Sequence, residues 1–228
     1  ATQHFNRFKT SLIAAVIIAG FSSQTISGSY LYLGYPKLKS FNALDIPYVA
    51  VIALVCGFSG ALFGQTLISL SRIKNRFFTS ARSLLFFSLT CGFIFSLCAI
   101  FIDHSFLGSG KEQIMTLLFS DQNVSWYETL IRFFSPILTY LAGGAGGIFA
   151  PSLAAGGTIG EFLGQLFQTD YSNLFVLLGM IAFLSGVTRA PFTSFILVLE
   201  MTDRHSAILP MMLVALLAST VARIVHPK

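Results

Sequence analysis

The sequence predicts an all-α membrane protein, and two observations carry that prediction. The first is composition: of 228 residues, 54% are hydrophobic and only 10% are charged, whereas soluble domains carry about 25% charged residues. The second is the recurrence of apolar stretches of about 17–25 residues, each long enough to cross a hydrocarbon core of roughly 30 Å as a helix. A soluble enzyme is therefore excluded, and the expected architecture is a polytopic bundle of helices.

Three long apolar segments open the chain, and each predicts a membrane-crossing helix. They cover about Thr10–Ser27, Ile46–Leu70 and Ser83–Ile102. Gly60 and Gly64 of the second segment stand about one helical turn apart, a spacing that lets another helix approach closely.

The densest run of positive charge lies between the second and third segments. It comprises Arg72, Lys74, Arg76 and Arg82, with no acidic residue among them. By the positive-inside rule this stretch is a loop that faces the cytoplasm and orients the chain. A site for anionic lipid or a partner is the alternative interpretation. Because the net charge of +5 comes mostly from such short gaps, binding of nucleic acid is not expected.

Several later segments are too short to cross a membrane, which predicts discontinuous and re-entrant helices. A short helix is expected at about Ile114–Phe119, followed by a fourth long segment at Trp126–Leu141. The final third of the chain holds four segments interrupted by Gly or Pro, which cover Ile148–Phe167, Asn173–Val187, Pro191–Thr202 and Ile208–Val225. Helices broken at membrane depth are tolerated only where their free backbone groups meet protein, water or a ligand, so these interruptions predict a transport site.

The strongest interruption is a glycine-rich stretch, residues 143–148, which we call the break. Four of its six residues are glycine, and glycine destabilises a helix by about 1 kcal/mol per position relative to alanine. The fourth segment should therefore end there, with Gly146 and Gly147 supporting the interruption. A new helix should begin at about Ile148–Ala150, because Pro151 has a φ that suits a first helical turn and no N–H that needs a partner.

The start of that new helix is the candidate site. The N–H groups of Ile148, Phe149 and Ala150 have no intrahelical acceptor, and they lie at the positive end of the helix dipole, equivalent to about half an elementary charge. In an apolar interior an unpaired N–H costs on the order of several kcal/mol, so we expect a dehydrated anion to accept these hydrogen bonds. The alternative is that the glycines only permit close helix contact. Close contact is the interpretation for the later glycines Gly156, Gly160 and Gly164.

Three charged residues lie inside apolar segments, and structural roles are expected for all of them. Arg132 should extend its charge to the membrane interface or pair with Glu128. Glu161 should lie at an interface or subunit contact, and Glu200 should pair with a neighbouring arginine. The four histidines are scattered singly, so neither a metal site nor another cofactor is expected.

Two separated motifs resemble the signature of the CLC family of chloride channels and chloride/proton antiporters. They are GGIFAP at residues 146–151, followed by SLAAGGTIG, and TRAPFTSFILVLEMT at residues 188–202. The resemblance implies transmembrane chloride transport, as a channel or an antiporter, by a fold of two inverted halves. It also implies that the backbone amides of Ile148 and Phe149 line a central chloride site, and that Ala150 joins them at an external site.

The family's GSGIPE and GREGP motifs do not occur in this sequence. Residues 1–228 are therefore expected to be a fragment of one transmembrane domain, made of the second inverted half and the last helix of the first. The resemblance further implies chloride as the ligand without a cofactor, and a homodimer formed through the first helix and the last two. It implies a multi-pass protein of a cell membrane, such as a prokaryotic inner membrane.

Two alternatives to a chloride transporter are a fluoride-selective relative and a non-transporting membrane scaffold. A membrane-embedded enzyme is disfavoured, because the sequence has no HExxH or GxSxG motif.

Overall fold

The computed structural model of this chain describes residues 2–28, 31–38, 41, 45–77, 80–101, 108–120, 124–143, 146–168 and 172–225. All regular structure in these residues is helical, which confirms the predicted fold class of an all-α membrane protein. The α-helices are α1 Thr2–Ser27, α2 Ile46–Phe77, α3 Ala81–Phe101, α4 Lys111–Phe119, α5 Trp126–Ala142, α6 Phe149–Leu166, α7 Ser172–Thr188, α8 Pro191–Thr202 and α9 Ile208–Val225.

The chain forms two compact units. The first, Ala1–Tyr32, contains α1, whose side chains from Thr10 to Ile26 are exposed. This helix starts at Thr2 rather than at the predicted Thr10, because the residues in between include no proline or glycine that would interrupt it. The second unit, Leu33–Lys228, holds α2 to α9 and carries the break.

The core of the second unit surrounds α7. Every residue from Leu174 to Gly186 is buried, as expected of a helix that is apolar on all sides. The helices packed around it are chiefly α2, α6 and α9. Phe183 of α7 contacts Phe63 of α2, with ring centroids 5.5 Å apart. α7 therefore fixes α2 and α6 relative to each other, and both of these helices border the break.

Several helix crossings in this core require glycine, and the sequence predicts two of them. A β-carbon at Gly60 of α2 would overlap the carbonyl oxygen of Phe183, and one at Gly160 of α6 would overlap that of Phe175. Backbones this close are the packing that small residues one turn apart permit. The predicted close approach at both positions is confirmed.

The helices divide into long spans and short pieces, and the segment lengths predict only part of this division. The first segment, predicted to cross a membrane, is one of the shorter apolar helices at Thr10–Ile26, whereas the last segment, predicted to be short, is long enough to cross. Among the described residues, three stretches are long and apolar enough to cross a membrane: Ile46–Lys74, Arg82–Phe101 and His205–Val225. By contrast, α4 has 9 residues and α8 has 12. At 1.5 Å per residue these helices extend only about 14 and 18 Å, well short of a bilayer core.

The end of α2 differs from the prediction. The helix continues to Phe77 instead of ending near Leu70, so Arg72, Lys74 and Arg76 lie on its last turns and not in a loop. Positive side chains interact favourably with the C-terminal end of a helix dipole, and this stretch contains no glycine or proline to end the helix. The extension brings the side chain of Lys74 to the end of α5.

Candidate anion site at the break between two helices

The break lies where the sequence predicts it. α5 ends at Ala142, followed by Gly143 with a φ of 92° in the left-handed region, a conformation that glycine adopts without steric cost. Of the next four residues, 144 and 145 lie outside the described residues, and Gly146 and Gly147 are exposed and non-helical. The new helix begins at Phe149, within the predicted range.

Pro151 stands in the first turn of α6, as predicted. Its missing N–H removes one donor that would otherwise need a partner. The first backbone bond into the helix runs from the Ser152 N–H to the Ile148 carbonyl, with an N···O distance of 3.1 Å. Ile148 is thus the residue immediately outside the helix, and its own N–H has no intrahelical acceptor.

The N–H groups of Ile148, Phe149 and Ala150 are the unpaired donors of this helix start. Within the part of the chain that the structure describes, none of the three has a hydrogen-bond acceptor. Ile148 and Ala150 are half-buried, and Phe149 is 47% exposed. Three donors at the positive end of an 18-residue helix are a suitable anion-binding arrangement.

The C-terminal end of α5 differs, because a backbone turn and two side chains satisfy its carbonyls. The turn comes first: the N–H of Gly143 donates to the carbonyls of Thr139 and Tyr140. This closes the helix in the way that a left-handed glycine commonly does.

Two side chains complete that end. Lys74 of α2 donates from Nζ to the Leu141 carbonyl at 2.9 Å, and Ser88 of α3 donates from Oγ to the Ala142 carbonyl at 2.5 Å. All four of the last carbonyls of α5 therefore have donors. The sequence offers no local sign of either contact, since Lys74 and Leu141 are 67 residues apart and Ser88 and Ala142 are 54 apart.

Both helix ends border one cavity of about 100 Å³. Its lining includes Arg132, Ser135 and Tyr140 from α5 and Gly146, Gly147 and Ile148 from the break. One water molecule needs about 10–15 Å³ of such space, so the cavity has room for a halide with part of its hydration shell. The start of α6 is thus open to a small solute.

Arg132 lies in the wall of this cavity, which the sequence does not predict. Its side chain is 1% exposed, and its Nε donates to Oε1 of Gln113 on α4 at 2.5 Å. The expected extension to the interface is therefore wrong, and the structure pairs the guanidinium with Gln113. The reason is tertiary: α4 packs beside α6 and brings a buried amide 19 residues away within reach.

The two glutamates take no part in the break. Glu161 is 5% exposed, and its carboxylate accepts hydrogen bonds from Ser172 Oγ at 2.5 Å and Gln165 Nε2 at 3.1 Å. Glu161 is therefore buried within this chain, whereas the sequence predicts a position at an interface or subunit contact. Glu200 is exposed. Arg204, one of the arginines near it in sequence, places its guanidinium over the ring of Tyr35, 5.7 Å from the ring centroid, instead of pairing with Glu200.

Comparisons with known proteins bear on the whole chain. The family profile described as voltage gated chloride channel matches residues 4–223. The H(+)/Cl(−) exchange transporter ClcA of Citrobacter koseri is 26% identical to this chain, in an alignment that covers 96% of this chain and 48% of that protein.

Two solved structures share the fold. A CLC-type fluoride/proton antiporter has a TM-score of 0.78 at 22% identity, covering 90% of this chain and 51% of that one. A slow cyanobacterial Cl−/H+ antiporter has a TM-score of 0.79 at 22% identity, covering 93% and 51%. The chain spans about half the length of the proteins it matches.

Proposed function

Because this chain belongs to the voltage gated chloride channel family, we propose that it serves the transport of chloride across a membrane, as a channel or as a chloride/proton antiporter. The anion is held by the backbone N–H groups of Ile148, Phe149 and Ala150. One observation supports this proposal above the others: these N–H groups lack acceptors among the described residues, and Ile148, the first of the three, lines a cavity.

The chemistry of backbone amides suits a transported anion. An anion that leaves water needs hydrogen-bond donors in place of its hydration shell, and the start of α6 supplies donors that are already oriented. Partial charges bind the anion more weakly than a lysine or arginine in direct contact would, so it can also leave. Gly146 and Gly147 leave the approach open, since a β-carbon at either position meets nothing within 4 Å. No metal or organic cofactor is required.

The protein is further proposed to lie in a cell membrane as a multi-pass protein and to form a homodimer through α1, α8 and α9. Apolar side chains are exposed on the last two of these helices, among them Phe192 at 60% and Leu209 at 72%. Surfaces of this kind suit lipid or a second subunit. Light scattering of the purified full-length protein tests the dimer, and a monomeric mass would contradict it.

Chloride flux from liposomes that contain the full-length protein tests the function. We expect chloride efflux above that of protein-free liposomes, measured with a chloride electrode. Replacement of external chloride by fluoride then distinguishes a chloride transporter from a fluoride-selective one. No flux of either anion would favour a non-transporting scaffold.

A cavity-filling substitution links the flux to the break. Gly147→Leu places a side chain in the cavity and should reduce chloride flux strongly. Gly92→Leu on α3 is the matched control, because a β-carbon there also meets nothing within 4 Å and Gly92 does not line the cavity. Equal flux in the two variants would show that the anion takes another route.

A further inference from the structure

The two helix ends at the break carry opposite partial charges and border the same cavity. Tyr140 in the last turn of α5 and Ile148 at the start of α6 both line it. A helix N-terminus acts as about half a positive charge and a C-terminus as about half a negative charge. An anion bound at α6 is therefore repelled by the nearby carbonyl end of α5, and the two effects partly cancel.

Lys74 lies at the repelling end. Its Nζ donates to the Leu141 carbonyl at 2.9 Å, and the ammonium is 4.0 Å from where a β-carbon of Gly143 would stand. Among the described residues, no carboxylate lies within ion-pair distance of Lys74. The positive charge of Lys74 therefore lies beside the partial negative charge at the C-terminal end of α5.

We propose that Lys74 is a positioning residue for the anion: its charge outweighs the partial negative charge at the end of α5 and makes the start of α6 more favourable to a negative ion. This rests on the function proposed above. Lys74 acts at a distance in this proposal, since it bonds the end of α5 and does not line the cavity. A fixed charge in this place raises anion affinity without trapping the ion.

The alternative is that Lys74 only completes the helix end. Ser88 provides the matched comparison, because it donates to the adjacent carbonyl, that of Ala142, through a neutral hydroxyl. If capping is all that matters, loss of either donor should have the same consequence. If charge matters, only loss of Lys74 should weaken anion binding.

The experiment measures chloride binding to the full-length protein by isothermal titration, together with its thermal unfolding midpoint. Lys74→Gln keeps a hydrogen-bond donor without charge and should weaken chloride binding by about tenfold, the order of magnitude expected for loss of a nearby unit charge at an effective dielectric constant of about 20. Lys74→Arg should restore most of the affinity. Ser88→Ala should lower the unfolding midpoint with chloride affinity preserved.

A second variant keeps the test valid should Lys74→Gln fold poorly. Lys74→Cys is modified after folding with either a cationic or a neutral methanethiosulfonate reagent. The cationic product should bind chloride more tightly than the neutral one. Equal affinity of the two products would overturn the proposal, as would weakening by Ser88→Ala equal to that by Lys74→Gln.

The outcomes also separate the two proposals. If the unmodified protein binds no chloride, the proposed function itself is wrong. If it binds chloride and Lys74→Gln binds equally well, only the role of Lys74 is wrong.

Discussion

The two helix ends at the break differ in how their backbone hydrogen-bonding groups are satisfied. The last four carbonyls of α5 receive donors from Gly143, Lys74 and Ser88. The three N–H groups that open α6 receive no acceptor from the described residues. Buried backbone groups are almost always paired in native proteins. The carbonyl end is therefore satisfied within the fold, whereas the amide end keeps donors that are available to a solute.

This difference separates stability from binding. Changes at the carbonyl end should alter the free energy of unfolding more than they alter anion affinity, apart from the charge of Lys74. Changes at the amide end should do the reverse. The following substitutions test that separation, beginning with the largest expected effect.

Phe149→Pro should have the largest effect, on anion binding. It removes one N–H from the amide end, and proline is accepted in the first turn of a helix. A hydrogen bond to a charged group contributes about 1.5–3 kcal/mol, so chloride affinity should fall about tenfold or more by isothermal titration. Phe149→Ala keeps the N–H and should lose less. Equal losses in the two variants would mean that the side chain, not the amide, binds the anion.

Gly143→Ala should act on stability. The φ of 92° places this residue in the left-handed region, where a side chain costs about 1–2 kcal/mol. The thermal unfolding midpoint should fall, with chloride affinity of the folded protein changing less than in Phe149→Pro. Gly92→Ala, inside α3 with open space around it, should have the opposite sign. A midpoint unchanged by Gly143→Ala would contradict the description of the carbonyl end.

Ser88→Ala should have a smaller effect of the same kind. It removes the donor to the Ala142 carbonyl, and a typical hydrogen bond contributes about 1 kcal/mol. Thr90→Val on the same helix is the control, because the Thr90 hydroxyl bonds only within α3, to the Phe86 carbonyl. The two unfolding midpoints should differ, and their coincidence would show that Ser88 contributes nothing to the break.

Gly146→Ala should have the smallest effect on stability. A β-carbon there meets nothing within 4 Å, and the residue does not have a positive φ. The free energy of unfolding should stay within about 0.5 kcal/mol, as measured by thermal unfolding. A loss as large as that of Gly143→Ala would show that the break needs glycine throughout and not only at its first residue.

Local sequence predicts several of the helix boundaries of this chain, although not the start of α1 or the end of α2. The predicted bounds of α8, Pro191–Thr202, and of α9, Ile208–Val225, are the observed ones. The start of α6 follows from the glycines and Pro151 in the same way. Each of these boundaries depends on residues within a few positions of it, so one stretch of sequence is enough to find it.

The side chains that hydrogen-bond to α5 from other helices cannot be predicted from a single stretch of sequence. Lys74, Ser88 and Gln113 reach α5 across 67, 54 and 19 residues. Each contact depends on how α2, α3 and α4 pack, and an apolar sequence does not specify this by periodicity. Arg132 shows the consequence, since its sequence neighbours favour Glu128 while the fold supplies Gln113. Chloride binding at Ile148, Phe149 and Ala150 stays a prediction.

The most direct test of this account removes a single N–H and leaves every side chain unchanged. In the full-length protein, the amide between Ile148 and Phe149 is replaced by an ester, by incorporating the α-hydroxy analogue of phenylalanine at position 149. Chloride affinity is then measured by isothermal titration. The account predicts affinity lower by about tenfold with an unfolding midpoint close to that of the unmodified protein. Unchanged chloride affinity in the ester would show that the start of α6 does not bind the anion.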